Sequence, residues 1–206
     1  MRGLIVDLRG NPGGLLDQAV KVCSLFLSPK RLVVTTEGRD PSERREFRVP
    51  ARGTHYEFPL VILVNEGSAS ASEIVAGCFQ DLGRAVVVGE RTFGKGSVQS
   101  VIEIQDGAAL RLTTAKYYTP SHKVIHEQGI TPDVEVALSL EEERAIEVQR
   151  TPGLLAGLEP AEREEVLAVR DLPLERARDL LKGIALYTGR HGKLAKASKV
   201  PSLPGN

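Results

Sequence analysis

The chain has 206 residues, of which 41% are hydrophobic and 26% are charged, as is ordinary for a globular protein. Its 27 Lys and Arg residues balance 27 Asp and Glu residues, which argues against a nucleic-acid binder that relies on a broad basic surface. Two cysteines, Cys23 and Cys78, are too few for a four-cysteine zinc site. The sequence has no apolar run of about 18 residues that predicts a transmembrane helix, and Asp7 interrupts the N-terminal apolar stretch too early for a signal peptide.

The first elements in chain order are typical of an α/β protein. A short apolar run at residues 3–8 predicts a buried strand, because it ends in the breaker sequence Gly10–Gly14. Apolar residues then recur at intervals of three and four over residues 15–27, which predicts a helix. Two β-rich segments, 31–36 and 45–49, flank a turn and predict a polar hairpin.

The same alternation of buried strands and helices continues along the chain. Strands are predicted at 59–64, 85–88 and 132–136, a helix at 71–82, and a hairpin at 97–118 with its turn at Asp106-Gly107. From Glu141 the composition shifts towards Glu, Arg, Leu and Ala, which predicts helices around 139–149, 160–169 and 173–184 and then a frayed tail from Lys193 to Asn206. These patterns predict an α/β core at 1–137 and a helical appendage with a flexible tail at 138–206.

Two loops after predicted strands each have a functional and a structural interpretation. The glycines of Gly10–Gly14 would let backbone N–H groups approach an anion at a helix N-terminus, or would simply form a tight turn. In the loop at 65–73, Ser70 is either an exposed nucleophile beside an outward N–H or a helix N-cap that forms a capping box with Glu73.

A third loop, Gly89 to Ser97, resembles a phosphate-binding P-loop. The match is incomplete, because Gly96 stands where a Ser or Thr must bind magnesium and because a strand pattern follows in place of a helix. We therefore reject a nucleotide site. None of the four histidines has the spacing of a metal site or a catalytic triad, since His126-Glu127 lacks the second His of HExxH.

Together, these loops resemble the signatures of the C-terminal processing peptidases, the tail-specific serine proteases. The resemblance rests on four ordered segments: 8–14, 65–73, 89–99 and 129–133. It implies an α/β core of ββα units related to the Clp protease and crotonase superfamily. It also implies peptide-bond hydrolysis through an acyl-enzyme, with protein or peptide C-terminal tails as substrates and no metal or cofactor.

Carried over to this sequence, the resemblance implies a Ser-Lys dyad. Ser70 would be the nucleophile, Lys95 the general base and Gln99 the residue that orients the lysine, while the backbone N–H groups of Ala71, Gly13 and Gly14 would form the oxyanion hole. Lysine accepts a proton only when it is neutral, so we expect Lys95 to be enclosed between its flanking glycines, with Phe93 excluding water.

Three other residues are compared with the implied catalytic residues. Ser68 and Ser72 are rival nucleophiles in the same loop. Asp81 lies on the same predicted helix face as Ser70 but about 16 Å along the axis. It cannot reach the hydroxyl, so we assign it a structural role.

Family members typically carry an export signal, a PDZ domain and a further strand–helix unit ahead of these motifs, and act in the periplasm or cell envelope. The chain is therefore expected to be the C-terminal half of such a protease, without the PDZ domain. An unpaired edge at strand 3–8 would favour self-association. The alternative to an enzyme is a catalytically idle fragment that serves as an interaction or assembly module.

Overall fold

The computed structural model describes residues 3–53 and 55–197. The elements in chain order are β1 (Leu4–Asp7), α1 (Leu16–Ser24), β2 (Leu32–Gly38), β3 (Arg45–Arg48), β4 (Leu60–Val64), α2 (Ala71–Asp81), β5 (Val86–Gly89), β6 (Ser97–Glu103), β7 (Ala109–Tyr118), β8 (Val134–Glu135), α3 (Leu140–Arg150), α4 (Pro152–Ala156), α5 (Pro160–Ala168) and α6 (Leu172–Ala197). Within these ranges no helix is long and apolar enough to cross a membrane.

The strands form two sheets. Sheet A has the order β1-β4-β5-β8 and is parallel throughout. Sheet B has the order β3-β2-β7-β6 and is antiparallel, so it contains both predicted hairpins. The predicted α/β core is therefore confirmed, with the parallel and antiparallel strands separated into different sheets.

Strand β4 shows how sheet A is covered on both faces. It is buried along its whole length, and successive side chains point to opposite sides. Leu60, Ile62 and Val64 pack in a core with α1, α2 and β2, whereas Val61 and Leu63 pack against α6. A continuous apolar run is what a parallel strand requires when both faces are covered.

The helical appendage is more extensive than the sequence predicted. The helix expected at 173–184 runs from Leu172 to Ala197, so the first residues of the predicted frayed tail are helical. The rest of that tail, from residue 198 onward, lies outside the described residues. Ala177 of α6 is fully buried against sheet A, and therefore the appendage supplies part of the core.

Strand β1 lies at the edge of sheet A. It pairs with β4 from Leu4 to Asp7, and within the described parts of the chain no strand pairs with its other side. Among the residues that the structure describes, β1 is therefore an edge strand, as predicted.

Candidate active site

Three loops meet at the carboxyl ends of the parallel strands β1, β4 and β5. The Ala69 N–H donates to the carbonyl oxygen of Asn11 at 3.0 Å, which ties the second loop to the first. The Phe93 N–H donates to the carbonyl oxygen of Ser68, also at 3.0 Å, which ties the third loop to the second. The fold thus brings together the three loops selected from the sequence, at the edge where α/β proteins form their sites.

Ser70 has an unusual backbone conformation immediately before α2. Its φ is 56° and its ψ is −117°, in a region that non-glycine residues rarely occupy. Such a conformation costs about 1–3 kcal/mol and persists only where the surrounding structure enforces it. Ser70 ends the loop at 65–70 and immediately precedes α2, so it lies at the helix N-terminus, where negative charge is favoured.

The two rival serines have different environments. Ser68 is fully buried, and its hydroxyl donates to the carbonyl oxygen of Leu8 at 2.7 Å and accepts from the Asn65 N–H at 3.1 Å. Ser72 is buried within the first turn of α2. Ser70 is half-buried at the loop surface. This comparison favours Ser70 as the residue that a substrate can reach.

Glu73 connects the nucleophile loop to the lysine loop. Its side chain is fully buried. One carboxylate oxygen, Oε2, accepts from the N–H groups of Ser70 and Lys95, each at 2.8 Å. The other, Oε1, accepts from Thr92 Oγ1 at 2.6 Å and from the Gly94 N–H at 2.7 Å. The capping-box spacing predicted only the bond to Ser70, because the other three donors lie about twenty residues further along the chain.

Thr92 extends this network to the segment at 129–133. Its hydroxyl accepts from the Ile130 N–H at 2.7 Å, and its own N–H donates to the Ile130 carbonyl oxygen at 3.1 Å. Gly129 is required beside it, because an added Cβ would lie 2.4 Å from the Thr92 carbonyl oxygen and φ is 65°. The segment at 129–133 therefore supports the site by holding Thr92 in place.

The predicted enclosure of Lys95 is wrong for this structure, in which the residue is exposed. Its flanking glycines serve a different contact. A Cβ on Gly96 would lie 2.2 Å from the His126 nitrogen, and a Cβ on Gly94, where φ is 89°, would lie 3.2 Å from the backbone of Glu127. The glycines thus permit close packing of two backbone segments, while the lysine side chain points outward.

Gln99 and Phe93 do not enclose the lysine either. Gln99 lies on β6 beside a register shift between Val98 and Gln99, and it is exposed. Phe93 is 70% exposed. Within the described residues no hydrogen bond joins the side chains of Ser70, Lys95 and Gln99 to one another. The backbones of Ser70 and Lys95 nevertheless share an acceptor, because both N–H groups donate to Glu73.

The candidate oxyanion groups differ in their hydrogen bonds. The Gly13 N–H donates to Asn11 Oδ1 at 2.9 Å and is therefore engaged. The N–H groups of Ala71 and Gly14 have no hydrogen-bond acceptor in the described part of the chain. Gly13 instead supplies close packing, since an added Cβ would lie 2.7 Å from the Ala71 nitrogen. Gly14 and Ala71, whose N–H groups are both unengaged, line the same cavity.

Asp81 lies at the far end of α2 and fixes a turn. Its Oδ2 accepts from the Ser121 N–H at 2.9 Å and from Ser121 Oγ at 2.6 Å, and its Oδ1 pairs with Lys123 Nζ at 3.1 Å. Burial acts to raise the pKa of Asp81, but the hydrogen bonds from Ser121, Thr119 and Lys123 outweigh it and hold the pKa below its usual range. These contacts fit the structural role expected for Asp81.

We expect Asp81→Asn to lower the free energy of unfolding by about 2 kcal/mol at neutral pH, because it weakens these hydrogen bonds. A lowered carboxyl pKa stabilises the fold above the usual titration range, and this stabilisation is lost as the pH falls through the folded-state pKa. The difference between wild type and variant should therefore shrink between about pH 5 and pH 3. Urea denaturation over this range measures it, and a difference independent of pH would contradict the assignment.

The loops, the strained serine and the α/β core define a hydrolase-type site, and the comparisons with known proteins identify the family. Residues 1–136 match the model of Peptidase family S41, so the chain belongs to that family. It is similar to the carboxy-terminal-processing protease of Bartonella bacilliformis, at 50% identity over 142 residues, which are 69% of this chain and 32% of that protein. A carboxyl-terminal-processing protease of Synechocystis is 49% identical over 131 residues, 64% of this chain and 30% of that protein.

A solved structure gives the same result. The photosystem II D1 C-terminal processing protease matches with a TM-score of 0.61 and 37% identity, over 66% of this chain and 35% of that one. A putative peptidase from Parabacteroides merdae matches with a TM-score of 0.62 at 23% identity, over 87% of this chain and 52% of that one, and shows the shared fold. The chain spans about a third of the length of the curated relatives described above.

Proposed function

We propose that the chain is the catalytic part of a serine peptidase that cleaves protein substrates near their C-termini, with Ser70 as nucleophile and Lys95 as general base. The observation that carries the proposal is the strained conformation of Ser70, with φ 56°, at the start of α2. Two unengaged N–H groups support the proposal: that of Ala71, the next residue, and that of Gly14, which lines the same cavity as Ala71. The similarity to C-terminal processing proteases supports the substrate class.

In the proposed reaction, neutral Lys95 accepts the proton of the Ser70 hydroxyl as its oxygen attacks the scissile carbonyl carbon. The carbonyl oxygen becomes negatively charged, and the N–H groups of Ala71 and Gly14 stabilise it. The protonated lysine then gives its proton to the departing amine, which leaves an ester on Ser70. Water hydrolyses this acyl-enzyme, with the lysine again accepting a proton.

The exposure of Lys95 gives the bound substrate a role in this scheme. A solvated ammonium group is a poor base, and removing water favours the neutral amine. We propose that the polypeptide lying over the three loops covers Lys95, while Gln99 on the neighbouring strand orients its amine without adding a charge. The backbone of the lysine is already held in place, because its N–H donates to Glu73 Oε2 at 2.8 Å.

A serine-reactive fluorophosphonate probe tests the nucleophile. We expect one phosphonyl adduct per chain, mapped by mass spectrometry to Ser70. Ser70→Ala should abolish it, and Ser72→Ala, which changes the buried neighbour in the same turn, should retain it. An adduct on another residue would contradict the assignment of Ser70. A folded chain that forms no adduct would favour the idle interaction module instead.

A further inference from the structure

Four charged side chains form a closed ring between the peptidase core and the helical appendage. Asp7 ends β1 and Arg9 follows it by two residues, whereas Arg150 ends α3 and Asp171 immediately precedes α6. Arg9 donates to Asp171 Oδ1 at 2.8 Å and Oδ2 at 2.9 Å, and to Asp7 at 3.0 and 2.9 Å. Arg150 closes the ring, at 2.7 Å from Asp7 and 2.6 Å from Asp171.

Within this ring, the contact between Arg9 and Asp171 differs from an ordinary surface ion pair in its burial and geometry, whereas the Arg150 side chain is 40% exposed. The Arg9 side chain is 7% exposed and that of Asp171 is 13% exposed, so solvent screens their contact only weakly. The contact is bidentate, which fixes orientation as well as distance. Asp171 Oδ1 also accepts from the Leu174 N–H at 3.1 Å in the first turn of α6. The ring is thus anchored to the start of this helix.

A second contact connects the appendage to the same loop. Asn65 Oδ1 accepts from the Gly10 N–H at 2.8 Å, and Asn65 Nδ2 donates to Glu143 Oε1 on α3 at 2.7 Å. Helices of the appendage therefore hold Arg9 and Gly10, at the start of the glycine loop (residues 10–14), from two sides.

The glycine loop tolerates little displacement where it meets the nucleophile. A Cβ added to Gly13 would lie 3.0 Å from the Ser70 Cβ and 2.5 Å from the Ala69 carbonyl oxygen. The next residue, Gly14, supplies one of the two unengaged N–H groups. A shift of the loop by a fraction of an ångström would therefore change the distance between this donor and a carbonyl bound at Ser70.

We propose that Asp171, supported by Arg150, is a positioning residue of the peptidase, which holds the glycine loop through Arg9 so that the Gly14 N–H faces the reacting carbonyl. The proposal rests on the proposed function. Under this proposal, residues of the appendage support the oxyanion site, although they lie outside the family match at 1–136.

The test compares three variants of the full chain. Asp171→Asn removes the charge but keeps an oxygen that can cap α6, and Arg150→Met leaves that cap and the Arg9 contact intact. The matched control is Glu175→Gln on α6, which breaks the exposed ion pair of Glu175 with Arg170, a residue just before that helix. We expect the acylation rate at saturating activated ester to fall about 100-fold in Asp171→Asn and about 10-fold in Arg150→Met, with KM little changed. The control should keep the wild-type rate.

Amide hydrogen exchange provides a readout that does not depend on activity. We expect faster exchange at residues 9–15 in Asp171→Asn but not in Glu175→Gln. Wild-type exchange at 9–15 in a folded Asp171→Asn chain would overturn the proposal, and so would equal acylation rates in wild type and variant. If the wild type is not acylated but the exchange of the loop responds as expected, the proposed function fails while the positioning contact stands.

Discussion

Replacing Ser70 by alanine is expected to lower the rate of peptide-bond hydrolysis by about 10⁴-fold or more while the chain remains folded. Lys95→Met should cause nearly the same loss, because a serine hydroxyl is a weak nucleophile until a base removes its proton. In the double variant the two losses should not multiply, since the residues act as one unit. Hydrolysis of a fluorogenic peptide, with circular dichroism of each variant, measures both effects.

The matched control for the lysine is Lys116→Met. Lys116 is also exposed, and it pairs with Ser97, two residues beyond Lys95, so its replacement removes a positive charge from the same neighbourhood. We expect this variant to keep the wild-type rate within a few-fold. If Lys95→Met retained more than about a tenth of the activity, Lys95 would not be the general base. Losses that multiply in the double variant would show that the two residues act independently.

The fold and the meeting of the three loops follow largely from local sequence patterns. The apolar run at 60–64 predicts a strand covered on both faces, and the structure packs its alternate residues against different layers. Glycine and serine clusters directly after such strands predict loops at the carboxyl edge of the sheet. These patterns leave Ser70 open as either a helix cap or a nucleophile, and only the resemblance to the C-terminal processing peptidases selects it as the nucleophile.

The features that the sequence did not predict depend on contacts between distant segments. The exposure of Lys95 follows from the packing of its flanking glycines against the segment at 125–129, which no local pattern indicates. Glu73 also holds the lysine loop, and this depends on hydrogen bonds from donors between Thr92 and Lys95. The contact of Arg9 with Asp171 spans 162 positions and joins the core to helices whose composition indicated only an appendage.

Glu73 holds both residues of the proposed dyad, Ser70 and Lys95. Its two carboxylate oxygens accept four hydrogen bonds, and its side chain is fully buried. A buried carboxylate is tolerated when such donors replace water. Because Ser70 and Lys95 both donate to Oε2, a rearrangement of this side chain would move the nucleophile and the base together.

We expect Glu73→Gln to lower the free energy of unfolding by about 3 kcal/mol and the rate of phosphonylation of Ser70 by about 100-fold. Glutamine has the same shape, but its NH₂ group cannot accept hydrogen bonds. If the NH₂ faces the Oε2 side, the N–H groups of Ser70 and Lys95 lose their acceptor. If it faces the Oε1 side, Thr92 can adapt by accepting, but the Gly94 N–H is left buried and unpaired.

Either orientation therefore leaves at least one buried donor without a partner, which is why an isosteric change should have a large effect. Urea denaturation measures the stability, and the time course of fluorophosphonate labelling measures the site. Glu66→Gln is the control, since Glu66 has the same chemistry in the same loop but is exposed. It should alter neither quantity. A Glu73→Gln chain with wild-type stability and labelling would show that the four hydrogen bonds do not hold Ser70 and Lys95 in place.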